Sequence, residues 1–119
     1  MSRQDKPLVW LRGEIKTPPL SAEARVEAGF LLRQLEEGMS LVMPHLRKMP
    51  SLGPRCGELR VMEERGSWRI LLRIDSDAIV VLDVFRKTTP QTPQHILSAC
   101  RARLRRYDRA AKGGGEWIR

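Results

Sequence analysis

The chain has 119 residues, with 22 lysines and arginines against 14 aspartates and glutamates, which gives a net charge of +8. This length supports one small domain with a single core and excludes separate catalytic and regulatory halves. The charge favours nucleic acid, an anionic membrane surface or an acidic protein as the partner, and a basic surface that only aids solubility is the alternative.

The composition disfavours both a metal site and a membrane span. Cys56 and Cys100 lie far apart, and the two histidines, His45 and His95, are not at metal-ligand spacing from them. No stretch approaches the roughly 18 apolar residues that cross a membrane, and the N-terminus has no apolar signal-like run. We therefore expect a soluble cytoplasmic protein with no metal, no membrane contact and reduced thiols.

The first half of the chain is predicted to form a strand, a helix and a loop. An apolar run predicts a strand over residues 8–11, with Trp10 in the core. Ser21 is a good N-cap, and apolar side chains follow it at helical spacing until Gly38 ends the helix. Residues 39–55 are rich in prolines and basic side chains, which predicts a long functional loop.

The second half is predicted to form three strands and a helix. Residues 58–62, 68–74 and 78–86 have strand patterns separated by polar turns, which predicts an antiparallel meander. The strand over 78–86 is apolar on both faces, so it should lie centrally in the sheet with structure packed on each side. Thr92 is the expected cap of the final helix, and its buried stripe is expected to comprise Ile96, Cys100 and Leu104.

These elements predict an α+β fold, in which an N-terminal and a C-terminal helix pack on a small, twisted, mainly antiparallel sheet. Residues 1–110 are predicted to form this single domain, with Trp68 in its core. Residues 111–119 contain three consecutive glycines and are assigned to a flexible C-terminal tail.

Arginines stand at alternate positions of two of the predicted strands. Because strand side chains alternate between faces, Arg60 shares a face with Glu58, and Arg69 shares one with Arg73. A guanidinium keeps its charge and offers five donors, which suits phosphate, so the row predicts an RNA-binding surface. The alternative is that these arginines form cross-strand ion pairs with Glu58 or Asp83.

Three strings of residues, taken in this order, resemble the RelE/ParE superfamily and, within it, the HigB-like phage-derived branch of type II toxins. They are Gly57-Glu58-Leu59-Arg60, Trp68-Arg69-Ile70-Leu71-Leu72-Arg73-Ile74, and Phe85-Arg86-Lys87-Thr88 followed by Thr92-Pro93. The resemblance covers residues 7–108. It implies a RelE-like toxin that cuts mRNA at the ribosome without metal or cofactor, by attack of the RNA 2′-hydroxyl on its adjacent phosphate. It also implies a cognate antitoxin, typically a helix-turn-helix protein.

Candidate site residues follow from the strand pattern and the resemblance together. The predicted catalytic residues are Arg73, Lys87 and Arg69, with Arg73 as the first choice for stabilising the phosphate in the transition state. The predicted RNA-binding residues are Arg60, Arg55, Arg86, His45 and Arg47. Glu58 is either a general base or an ion-pair partner that orients an arginine.

The sequence is also consistent with two functions other than RNA cleavage. Family members often have an aromatic residue just before the Glu-Leu-Arg string, where this chain has Arg55-Cys56-Gly57. No histidine or tyrosine lies in the three strings, which favours a ParE-like toxin that inhibits a protein such as gyrase without cutting RNA. The second alternative is a basic adaptor that only binds nucleic acid.

Overall fold

The structure is a computed structural model that describes residues 5–15, 20–64 and 66–117, with side chains as far as residue 111. It is an α+β fold, as predicted, with two helices packed on a five-stranded sheet. The elements in chain order are β1 (Leu8–Trp10), α1 (Ala22–Glu36), β2 (Leu46–Lys48), β3 (Cys56–Glu63), β4 (Gly66–Ile74), β5 (Ile79–Arg86) and α2 (Gln94–Trp117).

The strands lie in the order β1-β5-β4-β3-β2, so β4 is the middle strand. β1 pairs with β5 in parallel, and every other pair is antiparallel. The pairs β3–β4 and β4–β5 form the predicted meander. β5 lies inside the sheet between β1 and β4, and it is buried on both faces as its sequence predicts. It is nevertheless one position from the centre.

α1 begins and packs as the sequence predicts. The Ser21 hydroxyl accepts a hydrogen bond from the Ala24 amide at 3.0 Å and caps the helix. The same hydroxyl donates to Glu63 on β3 at 2.7 Å, which ties the start of the helix to the sheet. The buried stripe of the helix is Ala24, Ala28, Leu31, Leu32 and Leu35.

The two helices cover opposite faces of the sheet. α1 packs against the face formed by Trp68, Ile70 and Leu72 of β4. α2 packs against the other face, which includes Leu71 and Leu82. The prediction for Trp68 is therefore confirmed. The buried residues of α2 are Leu97, Cys100 and Leu104, whereas the predicted Ile96 is only half-buried at the edge of the helix's stripe.

Three other features differ from the sequence prediction. The loop over residues 39–55 contains the short strand β2, which pairs with β3 and adds an edge to the sheet. Trp10 is 38% exposed because it ends the edge strand β1, so its assignment to the core was wrong. α2 continues to Trp117, so its backbone reaches into the segment 111–119 that we assigned to a tail.

Both cysteines are free and buried. Among the described residues, no helix is long and apolar enough to cross a membrane.

Candidate functional site

The predicted arginine row lies on the sheet face that α2 covers, and the start of α2 borders one end of it. Arg60 on β3 lies directly opposite Arg69 on β4. Glu58 is two residues before Arg60 and therefore shares its face. Lys87 follows the end of β5, where its amide donates to the Ser67 carbonyl at 2.9 Å. This backbone contact holds Lys87 beside the two strands.

Glu58 is the centre of this group and is completely buried. Its Oε1 lies 3.4 Å from Arg69 Nε and 3.9 Å from Arg60 Nε. Its Oε2 lies 3.5 Å from Lys87 Nζ and accepts a hydrogen bond from the Thr92 hydroxyl at 3.2 Å. We call these five residues, Glu58, Arg60, Arg69, Lys87 and Thr92, the Glu58 cluster.

The Glu58 cluster has more positive than negative charge. One carboxylate faces three cations, and Glu58 Oε1 and Arg69 Nε are both buried without a hydrogen bond. Burial lowers the pKa of the Arg69 guanidinium; Glu58 opposes the shift, and the charges of Arg60 and Arg47 add to it. The downward direction reflects mainly the loss of hydration of a buried cation. A bound anion would compensate the surplus of positive charge.

The cations of the cluster differ in how much of their side chain an anion can reach. The Arg60 side chain is 29% exposed, whereas those of Lys87 and Arg69 are 10% and 7% exposed. Arg60 can therefore contact a phosphate directly with the least rearrangement. Lys87 offers its ammonium at the edge, and Arg69 acts mainly through its electrostatic field, which burial strengthens.

β2 brings two further predicted residues beside the cluster. Arg47 lies opposite Glu58 across the β2–β3 pair and is exposed. His45 is exposed just before β2, and its carbonyl accepts a hydrogen bond from the Arg60 amide at 2.8 Å. The predicted residues Arg47, Arg60 and Arg69 therefore lie together, with His45 at the border.

Arg73 lies in a different environment from Arg69. Its guanidinium donates two hydrogen bonds to Asp75, at 2.8 and 2.9 Å, and two to Asp108 on α2, at 3.0 and 2.7 Å. The Tyr107 ring lies 5.9 Å from it. The hydrogen bonds to Asp108, followed by those to Asp75, raise the pKa of Arg73. Arg73 therefore joins α2 to the end of β4, and four of its five donors are occupied.

The structure does not bring Arg55 and Arg86 into the Glu58 cluster. Arg55 lies beside Asp75, with hydrogen bonds of 3.3 and 3.4 Å. Arg86 lies opposite Trp68 in the β4–β5 pair, so it belongs to the face that α1 covers, where it is 3.9 Å from Glu63. Thr92 is the one cluster residue that we did not predict as part of a site. The sequence predicts it as the helix cap and as part of the third family string, without a role in the site.

No three His, Cys, Asp or Glu side chains in the described part of the chain form a group that could hold a metal ion.

The family model of the phage derived protein Gp49-like family (DUF891) matches residues 18–105. The chain belongs to this family. The Gp49-like match extends from before α1 into α2 and contains the whole Glu58 cluster. The Gp49-like proteins are a RelE/ParE-like toxin family, so the resemblance is confirmed at the superfamily level, and the HigB-like branch stays a prediction. Curated proteins give no match to the chain.

Proposed function

We propose that this Gp49-like protein is the toxin of a toxin-antitoxin pair and that it cuts mRNA at the Glu58 cluster. The family supports a toxin. The observation that carries the chemistry is a fully buried carboxylate shared by three cations within 3.4–3.9 Å. Such a surplus of preorganised positive charge suits a phosphate that gains negative charge during reaction.

The proposed reaction needs no external nucleophile. The RNA 2′-oxygen bonds to the adjacent phosphorus and releases its proton to water, and the bond from phosphorus to the 5′-oxygen of the next nucleotide breaks. Negative charge develops on the phosphate oxygens, and the leaving 5′-oxygen needs a proton. The protein would contribute by positioning the phosphate and by stabilising its charge.

Each residue of the cluster has a proposed part in this reaction. Arg60 binds the phosphate directly, and Arg69 strengthens the positive field from behind it. Lys87 lies at the end of β5 and is the proposed proton donor to the 5′-oxygen. Glu58 has no exposed surface, so we assign it to positioning the three cations rather than to taking a proton from substrate. Arg47 and His45 extend the surface along the RNA.

The proposed partner is a cognate antitoxin, typically a helix-turn-helix protein in the HigB-like branch. An acidic segment of such an antitoxin would neutralise the cluster, because desolvated guanidiniums need anionic partners. mRNA in the ribosome is the proposed substrate.

Three assays of the unpartnered protein separate this proposal from its alternatives. Expression in bacteria should arrest growth, and primer extension on mRNA from a translating extract should show new 5′ ends. Supercoiling by gyrase should be unaffected. Inhibited supercoiling with intact mRNA would instead support a toxin with a protein target, and healthy cells would contradict both toxin functions.

A further inference from the structure

A second basic site lies beside the middle of α2. The segment 52–56, Arg73 of β4 and the middle of α2 line a pocket of about 360 Å³. Its polar lining is formed by Arg55, Arg73, Arg101, Arg105 and Asp108. The pocket shares no residue with the Glu58 cluster. The nearest link between them is β4, where Arg69 and Arg73 are four residues, or about 13 Å, apart.

The pocket has a surplus of positive charge after its ion pairs are counted. Asp108 faces it, but both carboxylate oxygens of Asp108 accept hydrogen bonds from Arg73. Asp75 is likewise held by Arg73 and also accepts longer hydrogen bonds from Arg55. Four guanidiniums against these two carboxylates leave two positive charges. The two surplus charges are shared among Arg55, Arg101 and Arg105, of which Arg55 has a long ion pair with Asp75.

These three arginines are held in different ways. Arg101 donates to the Ser51 carbonyl at 2.8 Å, which fixes its guanidinium at the rim. The backbone of Arg55 has a φ of 64°, an uncommon conformation for a residue other than glycine, and its carbonyl accepts from the Ile74 amide. The backbone of Arg55 is thus fixed, while its side chain is exposed and has only long hydrogen bonds. Arg105 is exposed at the mouth of the pocket.

A phosphate group fits this arrangement. Guanidiniums form bidentate hydrogen bonds with phosphate, and side chains that are exposed or loosely held can turn toward it at low cost. A carboxylate ligand would find the same donors, but the neighbouring basic surface around the Glu58 cluster points to a longer polyanion. We propose that this pocket binds a backbone phosphate of RNA, at a distance from the site of cleavage. The proposal rests on the proposed function in taking RNA as the ligand.

The test compares Arg105→Ala with Arg106→Ala. Both residues are exposed on the same turn of α2 and each substitution removes one charge, but only Arg105 lines the pocket. The probe is a fluorescent RNA octanucleotide with 2′-methoxy groups, which cannot be cut because the attacking hydroxyl is blocked. Anisotropy titrations at several salt concentrations give the affinity and its salt slope. Co-sedimentation with ribosomes forms a second arm.

Arg105→Ala should weaken octanucleotide binding roughly tenfold, as expected for loss of a charge-assisted hydrogen bond. The salt slope should fall by about 0.7, the share of one phosphate in a single strand. Arg106→Ala should change both much less. If Arg105→Ala weakens only the co-sedimentation with ribosomes, the pocket binds a phosphate of ribosomal RNA and not a phosphate of the single strand.

Equal effects of the two substitutions in both arms would overturn the pocket. Cleavage in the translating extract tests the proposed function separately. Intact cleavage with no difference between the two variants would reject the pocket alone. Absent cleavage with a selective effect of Arg105→Ala would reject the enzyme and keep the RNA site.

Discussion

Replacing Glu58 with glutamine should destabilise the protein and make its stability depend on anions. Glutamine keeps the shape of the side chain and can still accept a hydrogen bond from Thr92. It removes the one negative charge within 3.4–3.9 Å of Arg60, Arg69 and Lys87. The three cations would then repel one another without compensation.

The expected loss of stability follows from the burial of Glu58 and its partners. Removing one member of a buried ion pair costs about 3–5 kcal/mol. Arg60 is 29% exposed and remains partly hydrated, so we expect a loss of about 2–3 kcal/mol in the free energy of unfolding. For a domain of this size, that is a fall of Tm on the order of 10 °C. Urea unfolding followed by circular dichroism measures it.

Anions supply the decisive comparison. Inorganic phosphate should raise the stability of Glu58→Gln more than that of the wild type, because an anion that binds the folded state can replace the lost carboxylate. Glu64→Gln is the matched control, since Glu64 is exposed in the turn between β3 and β4. Equal stabilisation of the wild type and Glu58→Gln by phosphate, or an unchanged stability of Glu58→Gln, would refute the reasoning.

Three further outcomes are expected. Arg73→Ala should lower the free energy of unfolding by about 2–4 kcal/mol, since it removes the four hydrogen bonds by which Arg73 joins Asp75 to Asp108. Wild-type stability with abolished cleavage would instead place Arg73 in the active site. Ser21→Ala should cost about 1 kcal/mol by loss of the helix cap. The Ser21 hydroxyl lowers the pKa of Glu63, so the part of the stability that this hydrogen bond supplies is present above pH 4.5 and is lost on further acidification. Urea unfolding at pH 7 and pH 3 should therefore show a smaller effect of Ser21→Ala at pH 3. The same effect at both pH values would contradict the contact. Burial raises the pKa of Cys100 to about 11, so native protein at pH 8 should leave this thiol unlabelled until urea is added, and stability should fall as the pH rises from 9 toward 11.

The sequence predicts most of the elements because their signals are local. The Ser21 cap and the buried stripe of α1 depend on residues within the helix itself, and both are confirmed. β2 is different, because three residues, Leu46-Arg47-Lys48, carry no recognisable strand pattern. It forms by pairing with β3, and that long-range contact cannot be read from its own composition.

Long-range contacts that the local sequence does not reveal matter even more at the candidate site. Alternation along β4 correctly places Arg69 and Arg73 on one face. Alternation does not show that the two side chains have different neighbours, because Arg73 donates a hydrogen bond to Asp108, which lies 35 residues away on α2. A β-bulge in β5, opposite Leu71 and Leu72, shifts the pairing of β5 with β4 by one residue. After the bulge the side chains of β5 change faces, so Arg86 lies on the face that α1 covers and not on the face of the Glu58 cluster. That shift has no signature in the local sequence.

The central claim, that the Glu58 cluster is the site of RNA cleavage, is tested most directly by Arg60→Ala and Lys87→Ala compared with Arg86→Ala. Arg86 is a nearby arginine on the opposite face of the sheet. The readout is the rate of mRNA cleavage in a translating extract, with folding checked by circular dichroism. We predict losses of about 100-fold for each cluster variant, the scale for one preorganised donor to a developing charge, and a change of only a few-fold for Arg86→Ala. Equal losses in all three variants, or wild-type cleavage by folded Arg60→Ala and Lys87→Ala proteins, would contradict the claim.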